Sequence, residues 1–194
     1  MSLRDAGQAS LAFFYFDFRD KDKKQDFRNF LTSLLVQLAT YSSPCCEIIF
    51  RIYSTHGKGT QQPSNGALTK CLREMLSVIT QQSMYIIIDA LDECPNASGM
   101  PTPREVILDL LEDLVRLRIP NLHICVTSRP EIDIRKIIEP LPHSAVSLHD
   151  ESGQKKDIAH YVSTVVYADR KMQSWRDEEK KLVVKELSNK ADGM

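Results

Sequence analysis

The sequence lacks an excess of either charge, a long apolar run and any two cysteines separated by two residues. Its 194 residues contain 25 lysines and arginines against 26 aspartates and glutamates, for a net charge of −1. This balance argues against a polybasic surface, so we expect neither nucleic acid nor an anionic membrane as a partner. The apolar runs are too short to cross a bilayer, and Met1 to Ala6 has no signal-peptide pattern. These absences predict a cytoplasmic chain.

Cysteine is present in an odd number, five, and Cys45 and Cys46 are adjacent. Cys71 and Cys125 lie inside apolar periodic segments. We therefore expect buried free thiols rather than a disulfide framework or a zinc site. The histidines have no metal-ligand spacing with carboxylates or cysteines, which favours surface or packing roles for them.

The most informative stretch is an apolar run that ends in acids. Met84 to Ile88 is unbroken and apolar, which predicts a strand buried on both faces of a parallel sheet. Asp89, Asp92 and Glu93 follow it directly. Ligands of open α/β sheets bind outside the carboxyl ends of the strands, where such acids can hold hydrated Mg²⁺ and orient a water on a phosphate. A tight, helix-like turn after Asp89 would place Asp92 on the same face. The alternative is an acidic, solvated loop.

Strands and amphipathic helices alternate along the first 150 residues. Helical spacing predicts a helix over 26–40, and three more are expected to begin at caps: Ser43 before Pro44, Ser64, and a Thr102–Glu105 capping box. A further short helix is expected after Arg129. Strands are predicted over 11–18, 84–89, 122–127 and 145–148. This alternation predicts an α/β fold with a parallel sheet. Beyond residue 150 the pattern changes to two helices, over 157–168 and 177–190, so we predict a domain boundary there.

A second candidate feature is the segment from Thr127 to Pro130, which follows the strand over 122–127. If this strand neighbours the acidic one, the two backbones lie about 5 Å apart. Arg129 could then reach a terminal phosphate held near Asp89, or could instead form a salt bridge to Asp92 or Glu93. Acids at one strand end and an arginine at the next together favour a phosphate site.

These two motifs carry a family resemblance. YIIIDALDEC, over 85–94, and HICVTSRPE, over 123–131, resemble the NACHT-type domains of the STAND class of P-loop NTPases, most closely the fungal, nephrocystin-type members. The resemblance implies a three-layer P-loop NTPase-like parallel sheet followed by a small helical appendage. It also implies that Asp89 holds Mg²⁺ through water, that Asp92 and Glu93 orient the attacking water, and that Arg129 senses the γ-phosphate of ATP or GTP.

The phosphate loop GxxxxGK[ST] of that family is absent. The one Gly-Lys pair, Gly57-Lys58, is followed by Gly59 and is predicted to be a surface loop. We expect the loop and its strand upstream of Met1, which makes residues 1–149 a partial NACHT-like domain whose sheet lacks its first strand, and 150–194 the start of a helical domain. The expected sheet order is 11–18, 84–89, 122–127, the missing strand, then 145–148. Its bare edges would permit self-association.

Three functions remain open on these grounds. The first is a partial regulatory NTPase, at most an ATP or GTP hydrolase within a longer protein and weak or inactive alone. The second is a nucleotide-independent interaction or decoy module with the same fold. The third is a metal-dependent nuclease or phosphatase, for which Asp17 is the only further acid at a strand end.

Overall fold

Three parallel strands form the sheet of the first part of the chain. In the computed structural model β1 spans Ala9–Tyr15, β2 Ser83–Asp89 and β3 Leu122–Val126, with β2 in the centre. Ala12 pairs with Ile86, and Ile86 pairs with Ile124, so the three strands run in parallel register. The predicted α/β class and the order of these three strands are confirmed.

The structure describes residues 9–20, 26–40, 42–79, 83–97, 99–142, 144–146 and 152–190. The chain divides into two compact units, Met1–Pro142 and His143–Met194. The structure describes only part of the segment 145–148, for which a strand was predicted. Residues 144–146 have no regular structure, and residues 147 and 148 lie outside the described ranges. The helices of the first unit are α1 (Phe27–Thr40), α2 (Ser43–Thr55), α3 (Asn65–Val78), α4 (Pro103–Arg116) and α5 (Ile132–Ile138).

Side-chain caps fix where three of these helices begin. The hydroxyl of Ser64 accepts from the backbone N–H of Ala67, and Thr102 forms a full capping box with Glu105, both as predicted. The cap of α2 was predicted one residue too late. Ser42, in extended conformation, accepts from the N–H of Cys45, while Ser43 is already helical.

The sheet is buried on one face only. Met84, Ile86 and Ile88 join residues of all five helices in one core, together with Ala12 and Phe14 of β1. The opposite face carries Phe13, Tyr15 and Tyr85, which are 49%, 46% and 38% exposed. The expectation that β2 is buried on both faces was therefore wrong, because the described residues of the first unit form two layers; a third layer stays a prediction. The apolar run of β2 led to this wrong prediction because Tyr85 and Ile87, which lie on the open face, are apolar as well.

All five cysteines are free, and three of them are buried: Cys45, Cys71 and Cys94. Burial raises the pKa of the Cys71 thiol to about 11 and that of Cys94 to about 12. Cys125 was expected to be buried and is exposed, because it lies on the open face of β3, paired with Ile87. The Gly57–Gly59 segment is an exposed turn between α2 and α3, as predicted, with Lys58 at a φ of 52°.

The second unit contains the two predicted helices, α6 (Ser152–Ala168) and α7 (Asp177–Lys190), which pack against each other. Val166 of α6 is buried, and the Lys180 ammonium of α7 lies 5.5 Å from the centre of the Tyr167 ring. Within the described ranges, no helix has both the length and the apolar character that crossing a membrane requires.

The one-sided sheet makes a prediction about neighbouring residues of β2. Ile86→Ala is expected to lower the free energy of unfolding by about 2–5 kcal/mol, because it opens a cavity in the core. Ile87→Ala removes the same atoms from the open face, and we expect a loss of about 1 kcal/mol. Urea denaturation of both variants measures this difference. Equal losses would show that the second face is covered in solution.

Candidate functional site

The chain segments that follow β2 and β3 leave the sheet at the same end and are hydrogen-bonded to each other. The N–H of Thr127 donates to the carbonyl of Ile88 at 2.9 Å, and the N–H of Leu91 donates to the carbonyl of Thr127 at 3.0 Å. On the other side, the N–H of Phe16 donates to the carbonyl of Asp89 at 3.0 Å. These bonds bring together the segments that follow the carboxyl ends of all three strands. This end of the sheet is here called the sheet edge.

A left-handed residue separates the first acid from the other two. Ala90 has φ 54° and ψ 48°. The tight turn Leu91–Glu93, here called the acidic turn, begins only after it. Such a φ is uncommon for a residue with a Cβ and is tolerated best by small side chains. The helix-like turn was predicted, but Asp89 does not belong to it. Asp89 and Asp92 therefore face different partners.

The Asp89 side chain is hydrogen-bonded to Thr127, the residue directly after β3. Residues 128–130, which follow Thr127 and contain Arg129, are here called the arginine loop. The Thr127 hydroxyl donates to Asp89 Oδ1 and accepts from the N–H of Ala90 at 3.0 Å. One hydroxyl thus fixes both the carboxylate and the strained residue after it, while the Asp89 side chain stays exposed at the sheet edge. No role was assigned to Thr127 from the sequence, because nothing near it in the sequence indicates a contact with Asp89, 38 residues away.

Asp92 forms an ion pair with Arg129. The Arg129 N–H donates to Asp92 Oδ1 at 3.0 Å, and its Nε lies 3.5 Å from Asp92 Oδ2. The Arg129 side chain is 78% exposed, whereas that of Asp92 is 11% exposed. The salt bridge that was the alternative interpretation of Arg129 is therefore present, and its role toward a phosphate stays a prediction.

Glu93 and Asp17 place further carboxylates at the segment that follows β1. Glu93 Oε2 accepts from the N–H of Phe18 at 3.0 Å. Asp17 binds Arg19 through three hydrogen bonds, two from the guanidinium and one from the backbone, and these bonds hold its pKa below the usual value. Because Asp17 is already engaged by Arg19, this arrangement gives no support to the nuclease hypothesis.

Arg104 is a site residue that sequence reasoning missed. It is 8% exposed. Its guanidinium donates to the carbonyls of Asp92 and Cys94 and pairs with Asp133 of α5 at 3.1 Å. A signal was available, since Arg104 falls on the same helical face as Ile107, Leu108 and Leu111 of α4. A charge on the apolar face of a helix indicates a buried partner.

Mg²⁺ in nucleotide sites is held by one or two carboxylates, usually through water, together with phosphate oxygens. The exposed carboxylate of Asp89 fits this requirement, because Thr127 engages one of its two oxygens. Across the described part of the chain, no three or more of the histidines, cysteines, aspartates and glutamates form a metal-binding group.

The Thr127 hydroxyl gives a stability prediction. Thr127→Val keeps the shape but leaves the N–H of Ala90 without its acceptor, and we expect a loss of about 1 kcal/mol. Thr127→Ser keeps the hydroxyl and is expected to lose less than half of that. Urea unfolding of the two variants separates them. The assigned contact would be contradicted if serine destabilised as much as valine.

One family matches this sequence. Residues 2–129 match the family described as nephrocystin 3, N-terminal, and this range includes both the acidic turn and Arg129. No curated protein and no solved structure matches the chain. The match covers more than half of the residues and bears out the nephrocystin-type part of the resemblance. The chain therefore belongs to the nephrocystin 3 N-terminal family.

Proposed function

We propose that this chain is part of a cytoplasmic regulatory NTPase of the NACHT type, in which a bound nucleotide switches the protein between a closed and a self-associating state. The observation that carries the proposal is the convergence of Asp89, Asp92 and Glu93 with Arg129 at one edge of the sheet. In α/β sheets this edge is where ligands bind. Acids beside an exposed guanidinium are the groups that a metal-bound phosphate requires.

The Asp92–Arg129 pair suits an exchange of partners. The Arg129 side of the pair is exposed, but the Asp92 side chain is only 11% exposed, so the Asp92 carboxylate needs a new partner when the guanidinium leaves. On this proposal the attacking water is that partner. A terminal phosphate carries more charge than a carboxylate and accepts two parallel N–H bonds from a guanidinium. Arg129 is mostly exposed and lies beside the acidic turn. On this proposal it leaves Asp92 for the γ-phosphate, which is the contact that distinguishes the two states of a switch.

The acids take separate roles in this proposal. Asp89, oriented by Thr127, would hold Mg²⁺ through water. Bound there, the ion would neutralise charge on the phosphate oxygens. Asp92, released from Arg129, and Glu93 would orient the attacking water. The backbone of Asp92 stays fixed by Arg104, so only its side chain has to change partner.

The 194 residues supply only part of such a site. They contain no GxxxxGK[ST] segment, and the Gly57–Gly59 turn lies between two helices. The backbone N–H groups and the lysine that bind the β- and γ-phosphates in P-loop proteins are therefore not provided by this sequence. We propose that the chain alone binds nucleotide weakly and hydrolyses it slowly or not at all.

A second candidate is a nucleotide-independent interaction or decoy module with the same fold. One observation favours it: each of the three acids already has a partner within the chain. Asp89 binds Thr127, Asp92 binds Arg129, and Glu93 accepts from Phe18. Groups satisfied in this way can serve to hold the segments after the strands together without any ligand.

A nucleotide titration followed by amide NMR tests the proposal. We expect ATP or GTP with Mg²⁺ to shift the amides of residues 89–93 and 127–129, saturating only at about millimolar nucleotide because the phosphate loop is missing. Chelation of Mg²⁺ and Asp89→Asn should both abolish the shifts. Asp109→Asn, which removes an exposed acid from α4, is the matched control and should preserve them.

Three outcomes of that titration would contradict the proposal in different ways. Saturation at micromolar nucleotide would show that the chain contains a complete phosphate site. Shifts that persist without Mg²⁺ and in Asp89→Asn would show that Asp89 does not hold the ion, and no shifts at all would support the nucleotide-independent module.

A further inference from the structure

Arg104 makes an unusual set of contacts for a residue in the first turn of a helix. Its guanidinium is nearly buried, and removing such a charge from water is costly unless hydrogen bonds replace the lost hydration. The three bonded nitrogens meet three different partners. Nη2 donates to the carbonyl of Asp92, Nε to that of Cys94 at 3.0 Å, and Nη1 to the Asp133 carboxylate at 3.1 Å.

Neighbouring hydrogen bonds hold the same three segments together. The backbone N–H of Arg104 donates to the carbonyl of Pro95 at 3.2 Å. Asn96 donates to Asp133 Oδ2 at 2.9 Å and accepts from the Thr102 hydroxyl at 3.3 Å. The acidic turn, the start of α4 and the start of α5 therefore form one polar cluster beneath the sheet edge.

These contacts close a ring through the candidate site. Arg104 holds the backbone of Asp92, and the side chain of Asp92 binds Arg129. The carbonyl of Arg129 accepts from the N–H of Glu131, which precedes α5, and Asp133 in α5 returns to Arg104. Hydrogen bonds and ion pairs form these links, and the chain itself joins Glu131 to Asp133, so the ring connects the Asp92 side chain to the start of α5.

We propose that Arg104 is a positioning residue that couples the Asp92–Arg129 pair to α5. When the Asp92 carboxylate separates from both the guanidinium and the backbone N–H of Arg129, the ring opens and the first turn of α5 loosens; when the ring is closed, α5 is fixed. The coupling is a property of this chain, and its use as the output of a phosphate-driven switch rests on the proposed function. Lysine cannot replace Arg104 in this role, because a single ammonium cannot reach three acceptors in one plane.

Amide hydrogen exchange in a double-mutant cycle tests the coupling without any nucleotide. The N–H of Arg135 donates to the carbonyl of Glu131, the residue before α5, and reports on the opening of its first turn. The N–H of Glu139, the residue after α5, donates to the carbonyl of Arg135 and reports on the last turn. We expect Asp92→Ala, which removes the acceptor of the Arg129 N–H, and Arg104→Lys each to accelerate the exchange of the Arg135 amide about tenfold. In the double variant the ring is already open, so the second change should add no more than about twofold.

Controls separate this coupling from a general loss of stability. Arg116→Lys alters an exposed arginine at the other end of α4, paired with Glu112 at 2.6 Å, and should leave α5 unchanged. The amides of Leu34 and Leu38, buried in α1, should keep their rates in every variant. If Arg104→Lys accelerates these as well, the cycle of Asp92→Ala with Asp133→Ala decides, since Asp133 is the partner of Arg104 in α5.

Multiplied effects, about a hundredfold in the double variant, would overturn the proposal because they show independent contacts. Unchanged α5 exchange in both single variants would overturn it as well. Neither result depends on nucleotide binding. A failed nucleotide titration with a positive cycle would reject the switch and keep the coupling, and the reverse pair of results would do the opposite.

Discussion

The parallel pairing of β2 with β3 is the constraint on which the candidate site depends. Their register brings Asp89 and Thr127 side by side, and two backbone hydrogen bonds continue the pairing beyond the strands, from Thr127 to Ile88 and from Leu91 to Thr127. A shift of one residue would turn Met84, Ile86 and Ile88 toward the open face, so burial of these three fixes the register. The apolar core thus determines which polar groups meet at the sheet edge.

At that edge, hydrogen bonds hold the backbone of the turn, whereas the side chains of Asp89 and Arg129 are exposed. The guanidinium of Arg104 donates to the carbonyl of Asp92 in the acidic turn. The Thr127 hydroxyl accepts from the N–H of Ala90, directly before that turn. The carboxylate of Asp89 and the guanidinium of Arg129 remain exposed above it. This division is consistent with the site that we propose, in which ligand binding changes side-chain contacts without rebuilding the turn. In the same proposal, the partly buried Arg104–Asp133 pair connects such a change to α5.

Local patterns predicted the parts of the structure that depend on neighbours in sequence. Helical spacing, the caps at Ser64 and Thr102, and the three apolar strands were correct because near neighbours determine them. Burial of β2 on both faces was wrong, because an apolar run does not reveal how many layers cover it. The same limit explains the exposed Cys125. The Asp92–Arg129 pair was one of two stated alternatives, whereas Thr127 and Arg104 act across 38 and 12 residues and were missed.

The acidic turn after β2 and the arginine loop after β3 contact each other directly through Asp92 and Arg129. The most direct measurement of this contact is the hydrogen-exchange rate of the Arg129 amide, because that N–H donates to Asp92 Oδ1. We predict that Asp92→Ala, which removes the acceptor, accelerates this exchange about tenfold. An Arg129 amide that exchanges at the same rate in the wild-type chain and in Asp92→Ala would contradict the contact.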